Sequence, residues 1–303
     1  MPDQVRHDGV RLSNCQVNMI LSFHSCFDTD VQIILGDRPL SSGDLELIRK
    51  AKAIILPQAC SKGLYDACTK SNALIFPGYE VRFKYQEKTG QSVLFKCFGC
   101  PHPETQIWSS VEKFKKGHKY PHLFPHEAPF LVKADKAHES EGVYLVTDET
   151  SMSEALDHMT NREKSGISGF VTQAHIESGG NVLRAVIIGR NIITYWKRPC
   201  KSGDAITSIS RDAIIDHNWK PDLQKKGRIQ AQSLSKKTGI NLAAVDFVFP
   251  LSEKEPEPLF LEINYYFGRR GLGGTGRYYR LLHEAIKDWL SEVNLDTKSI
   301  RLV

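Results

Sequence analysis

The sequence lacks the long apolar run that a membrane-spanning helix needs. No stretch of about 18 apolar residues occurs among its 303 residues, so we expect no membrane span. The N-terminal segment is polar and has no signal-peptide core, which favours a cytoplasmic location. Internal repeats and low-complexity tracts are also missing, which excludes repeat and fibrous architectures.

A strong charge of either sign is absent as well. The net charge of +5 is small for this length, whereas 41% hydrophobic and 25% charged residues are ordinary for a globular protein. A mild positive charge suits an anionic ligand such as a nucleotide but is too weak to indicate nucleic-acid binding. The length is sufficient for two or three packed lobes.

Cysteine and histidine clusters typical of metal sites are scarce. The seven cysteines are scattered and odd in number, as expected for reduced cytosolic thiols. Cys97 and Cys100 form the one CxxC motif, and we expect them to pack at a helix end rather than to do redox or zinc chemistry. His118, His122 and His126 are four residues apart, but intervening prolines predict a solvated loop and no metal site.

The apolar pattern predicts three successive lobes. Short apolar runs alternate with helical patterns at the start of the chain, which favours a small parallel sheet. The predicted strands there lie near 17–23, 31–35, 53–57 and 73–77, with helices over 43–51, 62–69 and 87–98. An α+β lobe follows, with strands at 104–108, 129–133, 143–146 and 170–176, a loop over 112–126, and a helix over 151–159 begun by a serine N-cap. The third lobe is antiparallel, with a hairpin of 182–188 and 191–197 and helices over 223–238 and 278–293.

Two apolar runs near the C-terminus carry oxygen-bearing side chains. Asp246 lies in the first run, and Glu262 and Asn264 lie in the second. The latter two are two residues apart and therefore point to the same face of a strand. A hairpin would bring all three together, and hard oxygen ligands on a rigid sheet suit Mg²⁺. The alternative is a buried strand pair whose polar groups are satisfied within the protein.

Five cationic residues lie at positions where they could bind an anionic ligand. Lys133 ends an apolar strand and needs an anionic partner or solvent. Arg184 and Arg198 lie on paired strands and could bind a phosphate if both face a cleft; otherwise they are surface arginines. Arg269 and Arg270 lie in a glycine-rich stretch after the acidic strand, where they could bind a carboxylate or acyl phosphate, or belong to a flexible loop.

The order of these segments resembles the ATP-grasp superfamily, most closely the branch of glutathione synthetase and the ribosomal-protein glutamate ligases. The segments that carry the resemblance are Phe-Leu-Val-Lys133, Phe-Val-Thr-Gln-Ala-His-Ile176, Leu-Arg184-Ala-Val-Ile-Ile-Gly, Tyr-Trp-Lys-Arg198, Ala-Val-Asp246-Phe and Phe-Leu-Glu262-Ile-Asn264. The likeness runs from about Val81 to Leu290. It implies an α+β ATP-grasp fold preceded by a small α/β parallel-sheet domain, with domains 1–80, 81–172 (the small lobe, with Lys133 and the phosphate lid) and 173–303 (the large lobe, with the metal site).

The resemblance also implies roles for individual residues. The ATP-binding set would be Lys88, Lys133, Gln173, Ala174, His175, Ile176, Glu177, Arg184 and Arg211, with the segment from Gln173 to Ile176 against adenine and Glu177 on the ribose. The catalytic set would be Arg198, Arg269 and Arg270. The metal ligands would be Asp246, Glu262 and Asn264, holding Mg²⁺, with Mn²⁺ able to take its place.

Two departures from the family pattern stand out. Where the family has a glycine-rich lid, residues 134–142 contain one glycine and three acids, which would repel phosphate unless they turn outward. Ser208 stands where glutamate ligases have an asparagine near the metal or substrate. Both departures concern how ATP and the substrate would be held.

The resemblance implies an ATP- and Mg²⁺-dependent ligase that activates a small-molecule carboxylate as an acyl phosphate and joins it to an amine or a thiol. Neither nucleic acid nor a membrane is an expected partner. Two alternatives stay open: an ATP-grasp kinase, whose anionic substrate the basic stretch 113–119 would suit, and a nucleotide-binding protein without turnover, which the glycine-poor lid would suit. The sequence does not decide the acid, the acceptor or whether the chain forms a homo-oligomer.

Overall fold

The first lobe is a parallel sheet, as the alternation of short apolar runs and helices predicts. A computed structural model of the protein describes residues 18–118, 124–137, 142–200 and 213–303. The sheet order is β3-β1-β4-β5, and every neighbouring pair is parallel. The elements of this part are β1 (Ile20–Ser22), β2 (Phe27–Asp28), β3 (Val31–Gln32), α1 (Ser42–Lys50), β4 (Ala53–Ile55), α2 (Lys62–Thr69), β5 (Leu74–Phe76) and α3 (Glu80–Lys84).

The second lobe is a four-stranded antiparallel sheet with a helix on one face. Its elements are α4 (Glu87–Cys97), β6 (Thr105–Trp108), α5 (Val111–His118), β7 (Phe130–Ala134), β8 (Val143–Val146), α6 (Glu149–Lys164) and β9 (Phe170–Ala174). The sheet order is β6-β9-β7-β8. Alternate residues of β7, including Phe130 and Val132, pack with Met152 and Leu156 of α6, which leaves Lys133 on the opposite face.

The third lobe is a five-stranded antiparallel sheet in the order β12-β11-β10-β13-β14. Its elements are β10 (Val182–Ile188), β11 (Asn191–Arg198), β12 (Ile214–Asp216), α7 (Pro221–Thr238), β13 (Leu242–Val248), β14 (Leu259–Asn264), a 3₁₀ turn (Arg270–Leu272) and α8 (Thr275–Glu292). The predicted hairpin of β10 and β11 is present, and α7 ends at Gly239 in a left-handed conformation, as expected for a glycine at a helix end.

Both faces of this sheet are covered. Leu183, Trp196 and Phe247 pack with α7 on one face, whereas Val186 and Leu242 pack with α8 on the other. The final strand, β15 (Arg301–Leu302), pairs antiparallel with β2 and so ties the end of the chain to the first lobe. Among the described residues, no helix combines the length and apolar character that crossing a bilayer requires.

Two local predictions are corrected by the structure. Residues 111–118 form helix α5 where a loop was predicted from 112, because Val111 and Phe114 supply a buried apolar face ahead of the first proline. The N-cap of helix α6 is Asp148 rather than a serine: the Asp148 side chain accepts from the amide of Ser151, and the Ser151 hydroxyl accepts from the amide of Asp148, a reciprocal capping box.

Candidate functional site

The hairpin of β13 and β14 places the three predicted oxygen-bearing residues on one face of the third sheet. Asp246 lies directly opposite Glu262, and Asn264 lies opposite Ala244. A bulge follows Asp246 in the register, between Asp246 and Phe247. Asn264 Nδ2 donates to Glu262 Oε1 at 2.8 Å, so the side chains of β14 are tied to each other.

Asp246 is fully buried and lies at the centre of an ion cluster. Arg184 holds it in a two-point contact, Nε to Oδ1 and Nη2 to Oδ2, both at 2.7 Å. Lys197 Nζ donates to Oδ2 at 2.8 Å, and the side chains of Arg184 and Lys197 are only 10% and 3% exposed. Such a two-point guanidinium contact fixes geometry as well as charge.

The electrostatics of the cluster follow from its burial. Burial alone would raise the pKa of Asp246, but the charges of Arg184 and Lys197 more than offset this and hold it below its usual value. Burial lowers the pKa of Lys197 to about 8, against the opposing attraction of Asp246. Burial would lower the pKa of Arg184 too, yet Asp246 raises it above its usual value. Asp246 is therefore ionised at pH 7 with two cations on it.

Strand alternation explains which cations reach Asp246. Arg184 is paired with Asp246 on one side and with Tyr195 on the other, so residues 195 and 197 of β11 share its face. Arg198 points to the opposite face, where it bonds Asp216 at 2.8 Å and lies over the Trp219 ring at 4.5 Å. Arg184 and Arg198 therefore do not face one cleft together, which was the condition for their binding a phosphate as a pair. Lys197 was missed because its face is set by the pairing of β10 with β11, which the apolar pattern of β11 alone does not determine.

Lys133 projects from the small lobe and is buried. Its Nζ donates to Gln173 Oε1 at 2.5 Å, and Gln173 Nε2 in turn donates to the Thr105 hydroxyl at 2.9 Å. Burial lowers the pKa of Lys133 to about 8; the charge of Glu262 opposes this shift and that of Lys88 adds to it. Lys133 therefore lies within electrostatic reach of the large lobe's Glu262.

Lys88, in the first turn of α4, also lies within electrostatic reach of Glu262. Its Nζ donates to the carbonyl of Ala137 at 2.9 Å, and burial lowers its pKa against the attraction of Glu262 and Asp135. Asp135 fixes this helix start, because its carboxylate accepts from the amide and the hydroxyl of Thr89 at 3.1 and 2.7 Å. The structure thus brings together the two lysines that the sequence places 45 residues apart.

Gln91, on the same helix, holds the strand that carries Glu262 and Asn264. Its side chain pairs with both backbone groups of Ile263: Nε2 donates to the carbonyl at 2.9 Å, and Oε1 accepts from the amide at 2.8 Å. Strand β14 is an edge strand, so these backbone groups would otherwise lack a ladder partner. Nothing in the sequence around Gln91 indicated this contact.

Four cations, Lys88, Lys133, Arg184 and Lys197, therefore interact electrostatically with Glu262, and Arg184 and Lys197 also contact Asp246 directly. Oxygen donors of this kind suit Mg²⁺, and Glu262 and Asn264 are its half-exposed candidates, whereas Asp246 is held by its cations. Among the described residues, no group of three or more His, Cys, Asp or Glu could hold a metal ion. A metal here would rely on Asn264, phosphate oxygens or water to complete its coordination.

The residues predicted to contact adenine and ribose differ in exposure and in hydrogen bonding. The Ala174 amide donates to the carbonyl of Glu104 at 2.9 Å, so it is engaged within the protein. His175 and Ile176 are half-buried just beyond β9, and Glu177 is exposed, with Oε1 accepting from the amide of Gly179 at 2.9 Å. Their assignment to adenine and ribose stays a prediction.

The loop after β14 opens a pocket of about 490 Å³ beside the start of α8. Arg269 and Arg270 line it, and neither Asp nor Glu is among the described residues that do. Arg269 lies over the rings of Tyr278 and Tyr279, 4.7 Å from each centroid, and Arg270 donates to the carbonyl of Ala213.

Gly271 lets this loop pack closely against the sheet of the third lobe. A Cβ at Gly271 would lie 2.1 Å from Cζ of Tyr195, so only glycine permits the contact. The Tyr195 ring shares its face of the sheet with Arg184. The close approach connects the arginine-lined pocket to the ion cluster around Asp246.

Several predictions fall outside the described residues or away from the site. Arg211, Ser208, His122 and the lid residues 138–141 lie outside the described residues. Cys97 is exposed and Cys100 is buried, both as free thiols. His126 lies in a loop as predicted, but it is buried against Phe130 rather than solvated.

No protein-family profile matches the chain, and no curated protein matches it by sequence. Solved structures do match. A RimK domain ATP-grasp protein from Sphaerobacter thermophilus has a TM-score of 0.55 at 13% identity, over 87% of this chain and 97% of that one. D-alanyl-alanine synthetase A from Vibrio cholerae has a TM-score of 0.56 at 14% identity, over 78% and 76%.

A third match is the ADP complex of PurK, N5-carboxyaminoimidazole ribonucleotide synthetase, with a TM-score of 0.55 at 14% identity. It covers 80% of this chain but only 60% of that protein, so the chain spans less than two thirds of its length. Identities this low establish a fold and leave activity to the site itself. The chain therefore has the ATP-grasp fold, an α+β architecture preceded here by a small α/β domain with a parallel sheet.

Proposed function

We propose that the protein is an ATP- and Mg²⁺-dependent ligase that joins a small-molecule carboxylate to an amine or a thiol through an acyl phosphate. The observation that carries this proposal is the juxtaposition of a four-cation cluster with an arginine-lined pocket whose described lining residues include no Asp or Glu. The first suits a triphosphate and the second suits a carboxylate.

The cation cluster has more positive than negative groups, because four cations face the two carboxylates of Asp246 and Glu262. A triphosphate carries about four negative charges, and a site that closes over it needs preorganised positive groups. Lys88 and Lys133 would bind the triphosphate from the small lobe, and Arg184 and Lys197 would bind it from the sheet of the large lobe. Mg²⁺, when bound beside Glu262 and Asn264, would neutralise part of the phosphate charge.

The pocket would supply the acid. A carboxylate oxygen held near Arg270 attacks the γ-phosphorus, the bond from that phosphorus to the bridging oxygen breaks, and ADP leaves. An amine then attacks the acyl carbon, the carbon–oxygen bond to phosphate breaks, and the amine gives up a proton as the amide forms. The residues of the chain contribute positioning and electrostatic stabilisation.

The fold supports this class of chemistry. Two of the three solved structures described above are named as synthetases, and one of them is an ADP complex. Their names concern their own substrates, so the acid and acceptor of this protein are argued from its pocket alone.

An oxygen-labelling experiment tests the proposal. A pool of small carboxylic acids labelled with ¹⁸O in the carboxylate is incubated with the protein, ATP, Mg²⁺ and an amine pool. We expect ADP and inorganic phosphate that carries one ¹⁸O atom, because the acyl phosphate retains a carboxylate oxygen when it is cleaved. Glu262→Gln should stop the reaction while leaving the fold intact.

Other outcomes assign other functions. Phosphate that stays on an acceptor hydroxyl would make the protein a kinase. ATP binding without any ADP formation over a broad panel would make it a nucleotide-binding protein. Unchanged turnover in Glu262→Gln would contradict the metal assignment.

A further inference from the structure

One wall of the arginine-lined pocket is an aromatic ring. Tyr266, two residues after Asn264, lines the pocket and is 60% exposed. Single exposed apolar side chains are common on protein surfaces and need no explanation. A ring that lines an open pocket beside two arginines is different, because it is placed to contact a ligand's apolar part.

Arg82 of helix α3 holds this ring in place. Its Nη2 donates to the Tyr266 hydroxyl at 2.7 Å, and its guanidinium carbon lies 4.8 Å from the centre of the Tyr266 ring. Arg82 is itself fixed between rings, at 4.7 Å from Tyr79 and 5.0 Å from Phe83. Stacked, hydrogen-bonded guanidinium groups are well ordered, so the ring is oriented before any ligand arrives.

Gln58 links Arg82 to the part of the pocket that carries Arg269. The backbone carbonyl of Gln58 accepts from Arg82 Nη1 at 3.0 Å, and the side-chain Nε2 of Gln58 donates to the backbone carbonyl of Tyr265 at 2.8 Å. Its Oε1 accepts from the Tyr278 hydroxyl at 3.3 Å, and the Tyr278 ring underlies Arg269. Gln58 of the first lobe therefore hydrogen-bonds both to Arg82, which contacts Tyr266, and to Tyr278, which lies under Arg269.

We infer that the pocket selects an acid with a planar, apolar body, whose ring stacks on Tyr266 while its negative charge lies against Arg269 and Arg270. Arg82 is the positioning residue that presents Tyr266. The inference rests on the proposed function, for which it names the class of the acid. The paired walls explain why a pocket for an anion also carries an exposed ring.

A binding titration with unreactive acids tests the inference without requiring turnover. Phenylacetate, cyclohexylacetate, acetate and 2-phenylethylamine are titrated into the full chain, with and without a non-hydrolysable ATP analogue and Mg²⁺. We expect phenylacetate to bind about tenfold tighter than acetate, since burial and stacking of one ring contribute about that much. Cyclohexylacetate should fall between them, and the amine should not bind.

Variants separate the contribution of the Tyr266 ring from that of Arg82, which orients it. Tyr266→Ala should reduce the preference for phenylacetate over acetate to about twofold, whereas Tyr266→Phe should keep most of it because the ring persists. Arg82→Met should lower the preference to an intermediate value. Lys84→Met is the matched control: Lys84 lies on the same helix, over the ring of Tyr85 at 5.4 Å, and its replacement should change nothing.

Equal affinity for phenylacetate and acetate would overturn the inference, as would binding of the amine as strongly as the acid or a full preference retained in Tyr266→Ala. Failure of every acid to bind, with or without the nucleotide analogue, would overturn it too. A protein that shows the expected pattern but forms no ADP would contradict the ligase proposal and leave the selectivity of the pocket established.

Discussion

At the scale of single residues, Asp246 is an anchor for charge. It pairs with Arg184 and Lys197 in a buried cluster. Leaving either cation buried without an anion would strongly destabilise the folded state. Glu262, directly opposite on β14, is half-exposed and is tied to Asn264. The two carboxylates therefore contribute differently, one to the structure of the site and the other to its accessible surface.

This difference predicts unequal effects of neutralisation. Asp246→Asn should lower the free energy of unfolding by about 3 kcal/mol or more, because it leaves two buried cations without an anion. Glu262→Gln should change it by less than about 0.5 kcal/mol. Urea unfolding measures both. The double variant Asp246→Asn, Lys197→Met should recover part of the loss, and a fully additive double variant would contradict the coupling.

Lys133 predicts a pH dependence of nucleotide binding. Its pKa is lowered to about 8 by burial, and a bound phosphate would raise it, since the charged form is the one that binds. Affinity should therefore be full below pH 8 and should fall as pH rises through 8 towards 10. Titrations with an ATP analogue at constant ionic strength measure this. Lys133→Arg stays charged throughout, so its profile should be flatter; an equally steep profile would exclude Lys133 as the source.

The residue scale also shows where sequence reasoning stops. Lys133 and the strand pair of Asp246 and Glu262 were predictable, because polar residues inside apolar strands need partners. Lys197 and Arg198 are adjacent, and the choice between them depends on which face of β11 meets Asp246. That face is set by register across β10, which the apolar pattern of β11 alone does not determine.

At the scale of elements, helix α4 couples the two sides of the site. Its first turn carries Lys88, and one turn later Gln91 grips the backbone of β14. The helix and its end at Gly99 were predictable from the sequence. Its docking was not, because Gln91 and Ile263 are 172 residues apart and a glutamine side chain gives no periodic signal.

Gln91→Leu should remove both hydrogen bonds to Ile263 and lower the free energy of unfolding by about 1–3 kcal/mol, since two buried backbone groups lose their partners. The Ile263 amide should also exchange its proton faster with solvent. Val93→Ala is the control, because Val93 lies on the same helix and is 40% exposed. Unchanged exchange at Ile263 in Gln91→Leu would contradict the coupling.

At the scale of the whole molecule, the order of lobes followed from the sequence, whereas their interlocking did not. Alternating runs predicted the parallel sheet, and longer runs with polar breaks predicted the antiparallel lobes. The hydrogen bond from Arg82 to Tyr266 and the pairing of β15 with β2 join segments that are distant in sequence. Contacts of this kind depend on the assembled surface and have no local pattern.

The central claim is that the cation cluster is the binding site for the phosphates of ATP. Calorimetric titration with a non-hydrolysable ATP analogue and Mg²⁺ tests it most directly. We expect binding by the wild type, a loss of about tenfold or more in Lys133→Met, because hydrogen bonds to charged groups contribute about 1.5–3 kcal/mol, and affinity within about twofold of wild type in Arg198→Met, whose side chain faces away. No binding by the wild type, or equal losses in the two variants, would contradict the account.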